Sequence, residues 1–150
     1  QCDAFLLVGK CPNTEGLCTF HHASPDKIWP CEIPYELEPL AEPVSLVLER
    51  AMRRQGSWSE TNRRHGCGLC AIPLLSEAGV HALKLVGRGA PAAQKVRNVT
   101  LTREFLSLAE NCTDFEGYRR KAVAAHRERF GAACHQNVCY YPEFFDGGSV

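Results

Sequence analysis

Nine cysteines in 150 residues are the side chains of this sequence best equipped for chemistry. Thiolates hold soft metals and iron–sulfur clusters in a reducing compartment, and pair as disulfides in an oxidising one. An odd count leaves one thiol unpaired in a pure disulfide framework, whereas the sequons Asn98-Val99-Thr100 and Asn111-Cys112-Thr113 suit a secreted glycoprotein. Cys11 and Cys18 stand seven apart around a turn, Cys31 follows thirteen residues later, and Cys70 thirty-nine after that. Cys67 and Cys70 form a tight Cys-x-x-Cys knuckle of the kind zinc sites use. Disulfides, zinc and an iron–sulfur cluster all stay open on spacing alone.

The elements that position these residues alternate between strand and helix. Ala4 to Val8 is a continuous apolar run, so Asp3 to Gly9 reads as a short buried strand that ends just before Cys11. Pro12 to Pro43 holds six of the nine prolines and reads as an irregular, Cys-rich loop. Pro43 to Gln55 has helical periodicity with Pro at its start and Gly56 beyond its end. Ile72 to Ala78 reads as a short helix stopped at Gly79, and Val80 to Val86 as a second strand closed by Gly87-Arg88-Gly89. Thr102 to Asn111 fits a helix with Thr102 as N-cap and Phe105, Leu106, Leu108 and Ala109 on its apolar side. Phe115 to Phe130 fits a longer helix ended by Gly131, and Ala132 to Val150 an irregular aromatic tail.

The stretch from Cys67 to Arg88, Cys-Gly-Leu-Cys-Ala-Ile-Pro-Leu-Leu-Ser-Glu-Ala-Gly-Val-His-Ala-Leu-Lys-Leu-Val-Gly-Arg, resembles the signature of peptidase family U-thirty-two. There a cysteine precedes a short helix, an Ala-Gly step and a strand reading roughly Ser-Leu-Lys-Ile-Glu-Gly-Arg. With the spacing from Ala4 to Cys31, the resemblance covers about half of the chain. It implies a four-iron four-sulfur cluster held by Cys11, Cys18, Cys31 and Cys70. It also implies a fold that is part of a larger α/β barrel, and chemistry described either as a collagenase-like protease or as oxygen-independent hydroxylation of RNA bases or quinone precursors. The physical reading supports the same ligands, because a cuboidal cluster takes four thiolates from separate loops on one side of a scaffold. Cys70 begins a helix, where backbone amides favour a thiolate. Val86 stands where the family strand has Glu, and the barrel-like half that precedes this region in most relatives is missing here.

A complete eight-stranded barrel needs about 250 residues. The expected fold is therefore α/β: a partial barrel-like segment with a Cys-rich irregular loop and C-terminal helices, forming a single cluster-binding domain over 1–150. Such a domain would be the C-terminal part of a longer architecture, with a second chain or domain completing the barrel. Gln1-Cys2 has neither a charged leader region nor a small-residue cleavage site, so no signal peptide is expected and the start reads as a cut within a longer chain.

Around the cluster, His21 and His22 are candidates for a substrate pocket or for satisfying loop carbonyls. Lys84 and Arg88 on the second strand are candidates for holding an anionic substrate, since charge in a buried strand needs a partner. Cys67, Cys112, Cys134 and Cys139 with His135 form a leftover set that either packs as small hydrophobes or holds a second metal. Arg119, Arg120, Lys121, Arg127 and Arg129 on one helix fit a solvated face as well as RNA phosphates. Tyr140, Tyr141, Phe144 and Phe145 read as core cover rather than a base-stacking platform.

Lys+Arg and Asp+Glu are both 17, so no net field attracts nucleic acid or an anionic membrane. No apolar run approaches the roughly 20 residues of a membrane span. A protease needs an activated nucleophile with its base, and neither a Gly-x-Ser-x-Gly elbow nor a His-Glu-x-x-His motif is present. The expected compartment is cytoplasmic and the cluster oxygen-sensitive. Two alternatives stand beside the enzyme: a non-catalytic iron–sulfur module that transfers electrons or supports a partner, and a secreted disulfide-linked binding domain.

Overall fold

The structure, a computed structural model, describes residues 2–10, 40–42, 44–46, 49 and 63–142. Its contacts divide the chain into two compact units, Gln1–Lys10 with Arg63–Val150, and Cys11–Asn62. In the second unit, Leu46 and Glu49 are helical and the Glu49 amide donates to the Ser45 carbonyl at 3.0 Å. The remainder of the expected helix from Pro43 to Gln55, and the Cys-rich loop before it, lie outside the described residues.

In the first unit, β1 (Asp3–Leu7) and β2 (Ala82–Leu85) pair in parallel, with Asp3 opposite Ala82, Phe5 opposite Lys84 and an irregularity before Leu7. β1 buries Leu6 and Leu7 completely, as its unbroken apolar run predicts. The strand ends sharply: Val8 and Gly9 take φ of 63° and 72°, and a Cβ on Gly9 would stand 2.5 Å from Val86 Cγ1. Glycine at position 9 is thus required twice over, by backbone sign and by the Val86 methyl. A 3₁₀ turn, Leu69–Ala71, leads into α1 (Ile72–Glu77), which stops at the left-handed Gly79 before β2. The first unit is a mixed α/β assembly, and its two-stranded sheet is open.

Two helices cover this sheet segment. α2 (Ala92–Glu110) begins ten residues before the expected start. Pro91 supplies the entry, the run Ala92-Ala93-Gln94-Lys95 consists of good helix formers, and Thr102 lies mid-helix rather than at a cap. Its hydroxyl donates back to the Asn98 carbonyl at 2.9 Å. The buried line is Asn98, Thr102 and Phe105, spaced four and three apart, whereas Leu106 and Leu108 remain 40% and 37% exposed. Of the apolar side expected for this helix, Phe105 is buried and Ala109 packs against the core, whereas Leu106 and Leu108 are corrected to exposed and the buried line includes polar residues.

α3 (Phe115–Phe130) follows its sequence signals closely. Asp114 caps it by accepting from the Gly117 amide at 2.8 Å, and Gly131 ends it in a left-handed conformation. Tyr118, Ala122 and His126 form its buried line at intervals of four. The Phe105 and Tyr118 rings meet edge to face at 5.6 Å, and the Tyr118 hydroxyl lies 3.1 Å from the carbonyls of both Phe105 and Leu69. One phenol thus ties α2, α3 and the turn that carries Cys70. Arg129 Nε donates to buried Asn98 Oδ1 at 2.9 Å, so the first sequon asparagine is occupied inside the fold. Arg119 and Arg120 pair locally with Glu116 and Asp114 on the surface, in keeping with a solvated face. No helix among the described residues is long and apolar enough to cross a membrane.

Tyr118→Phe keeps the ring but removes the hydroxyl that reaches the Phe105 and Leu69 carbonyls, so it is expected to cost about 1–2 kcal/mol. Urea unfolding of the variant checks this, and an unchanged midpoint would refute the tie.

Candidate functional site

The thiols gather where three stretches of backbone run side by side. Cys67 bridges Leu7 in antiparallel fashion and Cys139 in parallel fashion. The supporting bonds are short: Val8 N to Gly66 O at 2.7 Å, Cys67 N to Val138 O at 2.8 Å, and Tyr140 N to Cys67 O at 2.9 Å. Three residues on, Cys70 sits in the 3₁₀ turn with its side chain turned into the core. The Tyr141 amide donates to Cys139 Sγ at 3.4 Å. Cys67, Cys70 and Cys139 are all buried, Cys134 is half-buried, and none of the six described cysteines is in a disulfide.

Burial dominates the electrostatics of this group. It pushes the Cys67 thiol up to about 12, against one backbone hydrogen bond, with the neighbouring Cys134 and Cys70 sulfurs adding to the rise. Cys134 is pushed up to about 11 by burial and by Cys70, opposed by the Arg119 guanidinium. Cys139 is raised as well, first by its interaction with Cys70 and then by burial. Cys67, Cys70, Cys134 and Cys139 therefore form one electrostatically coupled set. Cys112 lies instead against the helical core, where it adds to the upward shift of Tyr118.

The chain also approaches this set from β1. A Cβ on Gly66 would stand 2.9 Å from Lys10 N, and Lys10 Nζ lies 5.3 Å from the centre of the Tyr140 ring. Tyr140 and Tyr141 reach back to β1, donating their hydroxyls to the carbonyls of Val8 and Phe5. They cover the core, as expected for the tail. Lys10, the residue before Cys11, is thereby packed beside the segment that carries Cys67.

Of the four expected cluster ligands, Cys70 falls in this site, together with Cys67, Cys134 and Cys139 of the leftover set. Cys11, Cys18, Cys31, His21 and His22, together with Phe144 and Phe145, lie outside the described residues. Lys84 is exposed, with Nζ 4.2 Å from the centre of the Phe5 ring, because a two-stranded sheet leaves one face open. Its expected burial is thus corrected. Arg88 is exposed in the turn after β2, where its carbonyl accepts from Lys95 Nζ at 3.0 Å. Among the described residues, no three His, Cys, Asp or Glu side chains are arranged to hold a metal ion.

Sequence reasoning overlooked His126. It is 0% exposed, and neither ring nitrogen has a hydrogen-bond partner in the structure. Its ring packs 4.8 Å from Phe130, which also meets His65 at 5.2 Å. The four-residue spacing from Tyr118 through Ala122 was the signal that could have revealed its burial. No family model, curated protein or solved structure matches the chain.

Burial, reinforced by charge on His65 and His135, pushes His126 down from 6.5 to about 4. The unfolded chain then binds a proton near pH 6.5 that the folded chain refuses until about pH 4. Stability from this residue is fully present above the higher value and lost as pH falls toward the lower one, by about 3 kcal/mol in total. His126→Leu is expected to flatten that acid-side loss in thermal unfolding followed across this window. An equal loss in variant and parent would exclude His126 as its source.

Proposed function

We propose that this chain is the cluster-bearing part of an iron–sulfur enzyme related to peptidase family U-thirty-two, holding a four-iron four-sulfur cluster on Cys11, Cys18, Cys31 and Cys70. The observation that carries the reading is the setting of Cys70: a buried thiol on the turn that follows Cys67, close enough to Cys67, Cys134 and Cys139 to act on all three electrostatically. Sulfur-rich, apolar surroundings suit soft iron and exclude water from it. When bound, a cluster supplies one-electron redox chemistry and a site of Lewis acidity. The chain's own contribution is to hold it, through Cys70 on a turn braced by Tyr118, and to shield it with Tyr140 and Tyr141. The reaction class we favour is oxygen-independent hydroxylation of an RNA base or a quinone precursor in the cytoplasm. A second chain or domain completes a barrel-like frame, and neither a Gly-x-Ser-x-Gly elbow nor a His-Glu-x-x-His motif supports collagenase-like chemistry. Lys84 and Arg88 are exposed and available to an anionic substrate; His21 and His22 remain candidates from sequence.

One observation favours a second reading, a non-catalytic electron-transfer or partner-binding module. Val86, where the family strand has Glu, packs its methyl against Gly9, so that position offers no carboxylate.

Protein purified without oxygen is expected to be brown, with broad absorption near about 400 nm and matching iron and sulfide. A colourless protein lacking iron would sink the proposal. Cys70→Ser is expected to lose most of the iron and stability together, because cluster binding and folding are coupled. Cys2→Ser should retain both, and full iron content in Cys70→Ser would remove Cys70 from the ligand set.

A further inference from the structure

Between α2 and α3 the first unit opens a groove of about 590 Å³, within the size range of small-molecule sites. Helical spacing assembles its walls. Arg97, Thr100, Leu101 and Glu104 fall on one side of α2, and Ala125, Glu128 and Arg129 on one side of α3. Leu101, Ala125 and Val96 make its apolar part, with Val96 64% exposed. Covering such aliphatic surface releases free energy in proportion to the area removed from water.

Two cations share this groove, and neither is neutralised by a carboxylate. Arg97 and Arg129 form no ion pair with a described residue, although Glu104 and Glu128 line the same walls. Arg129 is also held in position in advance. Its Nε donates at 2.9 Å to Oδ1 of Asn98, itself 5% exposed, and its guanidinium carbon lies 5.0 Å from the centre of the Phe130 ring. The Nη groups are left for a ligand, on a side chain whose ordering costs little further entropy. Burial and, second to it, the Arg97 charge act against the Arg129 cation. An arriving anion therefore relieves a repulsion while it gains charge-assisted hydrogen bonds.

We propose that the α2–α3 groove binds a small amphipathic monocarboxylate, with its carboxylate between Arg97 and Arg129 and its apolar body against Leu101, Ala125 and Val96. Two glutamates balance two arginines around the groove, so one added negative charge is accommodated, whereas a dianion meets stronger repulsion. From Val96 to Glu104 the groove follows α2 for roughly 12 Å, enough for a chain of about eight carbons. No described cysteine lines it, so binding here is independent of the iron–sulfur reading.

The test is a titration of the full nitrogen-labelled chain with octanoate, followed by amide NMR shifts. Saturable shifts are expected within 96–104 and 125–129, and their absence at millimolar octanoate overturns the site. Octanol keeps the chain and lacks the charge, whereas inorganic phosphate keeps charge and lacks the chain. Each is expected to bind at least about tenfold more weakly than octanoate, and either one matching it overturns the ligand class. Arg97 is exposed, so Arg97→Gln is expected to keep the fold and to weaken octanoate by about tenfold. Unchanged affinity in that variant, with the rest of its amide spectrum intact, would take the carboxylate away from Arg97 and the proposal with it.

Discussion

The short backbone run Gly66–Cys67 is clasped on both sides, by the end of β1 through Val8 and Leu7 and by the tail through Val138 and Tyr140. Without that clasp, β1 would have no lateral support apart from β2, and the tail would have no reason to lie against the sheet. With it, residues far apart in the chain become neighbours at a cost met by a few hydrogen bonds between buried amides and carbonyls, groups that would be expensive to bury unpaired. The side-chain chemistry follows from this backbone arrangement. Cys67 and Cys139 are adjacent because their peptides pair, and Cys70 joins them because the next turn is tight.

Gathering thiols in this way has an electrostatic price. Burial and mutual proximity keep Cys67, Cys134 and Cys139 protonated at neutral pH, so in the metal-free protein they behave as small apolar groups with weak S–H donors. The buried, unpartnered His126 belongs to the same economy: the fold tolerates a polar ring by keeping it neutral.

The sequence was most legible where one local signal decided the outcome. The apolar run of β1, the Gly79 stop after α1, and the Asp114 and Gly131 ends of α3 all answer to nearest-neighbour chemistry. Reading failed where a choice depended on partners distant in sequence. α2 starts at Ala92 because helix-forming residues after Pro91 outweigh the capping potential of Thr102, and its buried side includes Asn98 because Arg129 is there to meet it. Lys84 was taken as buried on the assumption of a sheet covered on both faces, whereas two strands leave one face to solvent. In the site, the closeness of Cys67 and Cys70 was evident from their Cys-x-x-Cys spacing. The pairing of Cys67 with Cys139 was not, since nothing in the spacing of those residues announces a parallel bridge between the knuckle and the tail.

The two tyrosines of the tail have one more effect on how the molecule can be extended. Their hydroxyls occupy the Phe5 and Val8 carbonyls along the margin of β1 that faces away from β2. A row of unsatisfied carbonyls and amides there would invite an incoming strand, from another copy or from a stray peptide. Capped as it is, that margin cannot act as a template. Two phenols thus do for this edge what a further strand would otherwise do.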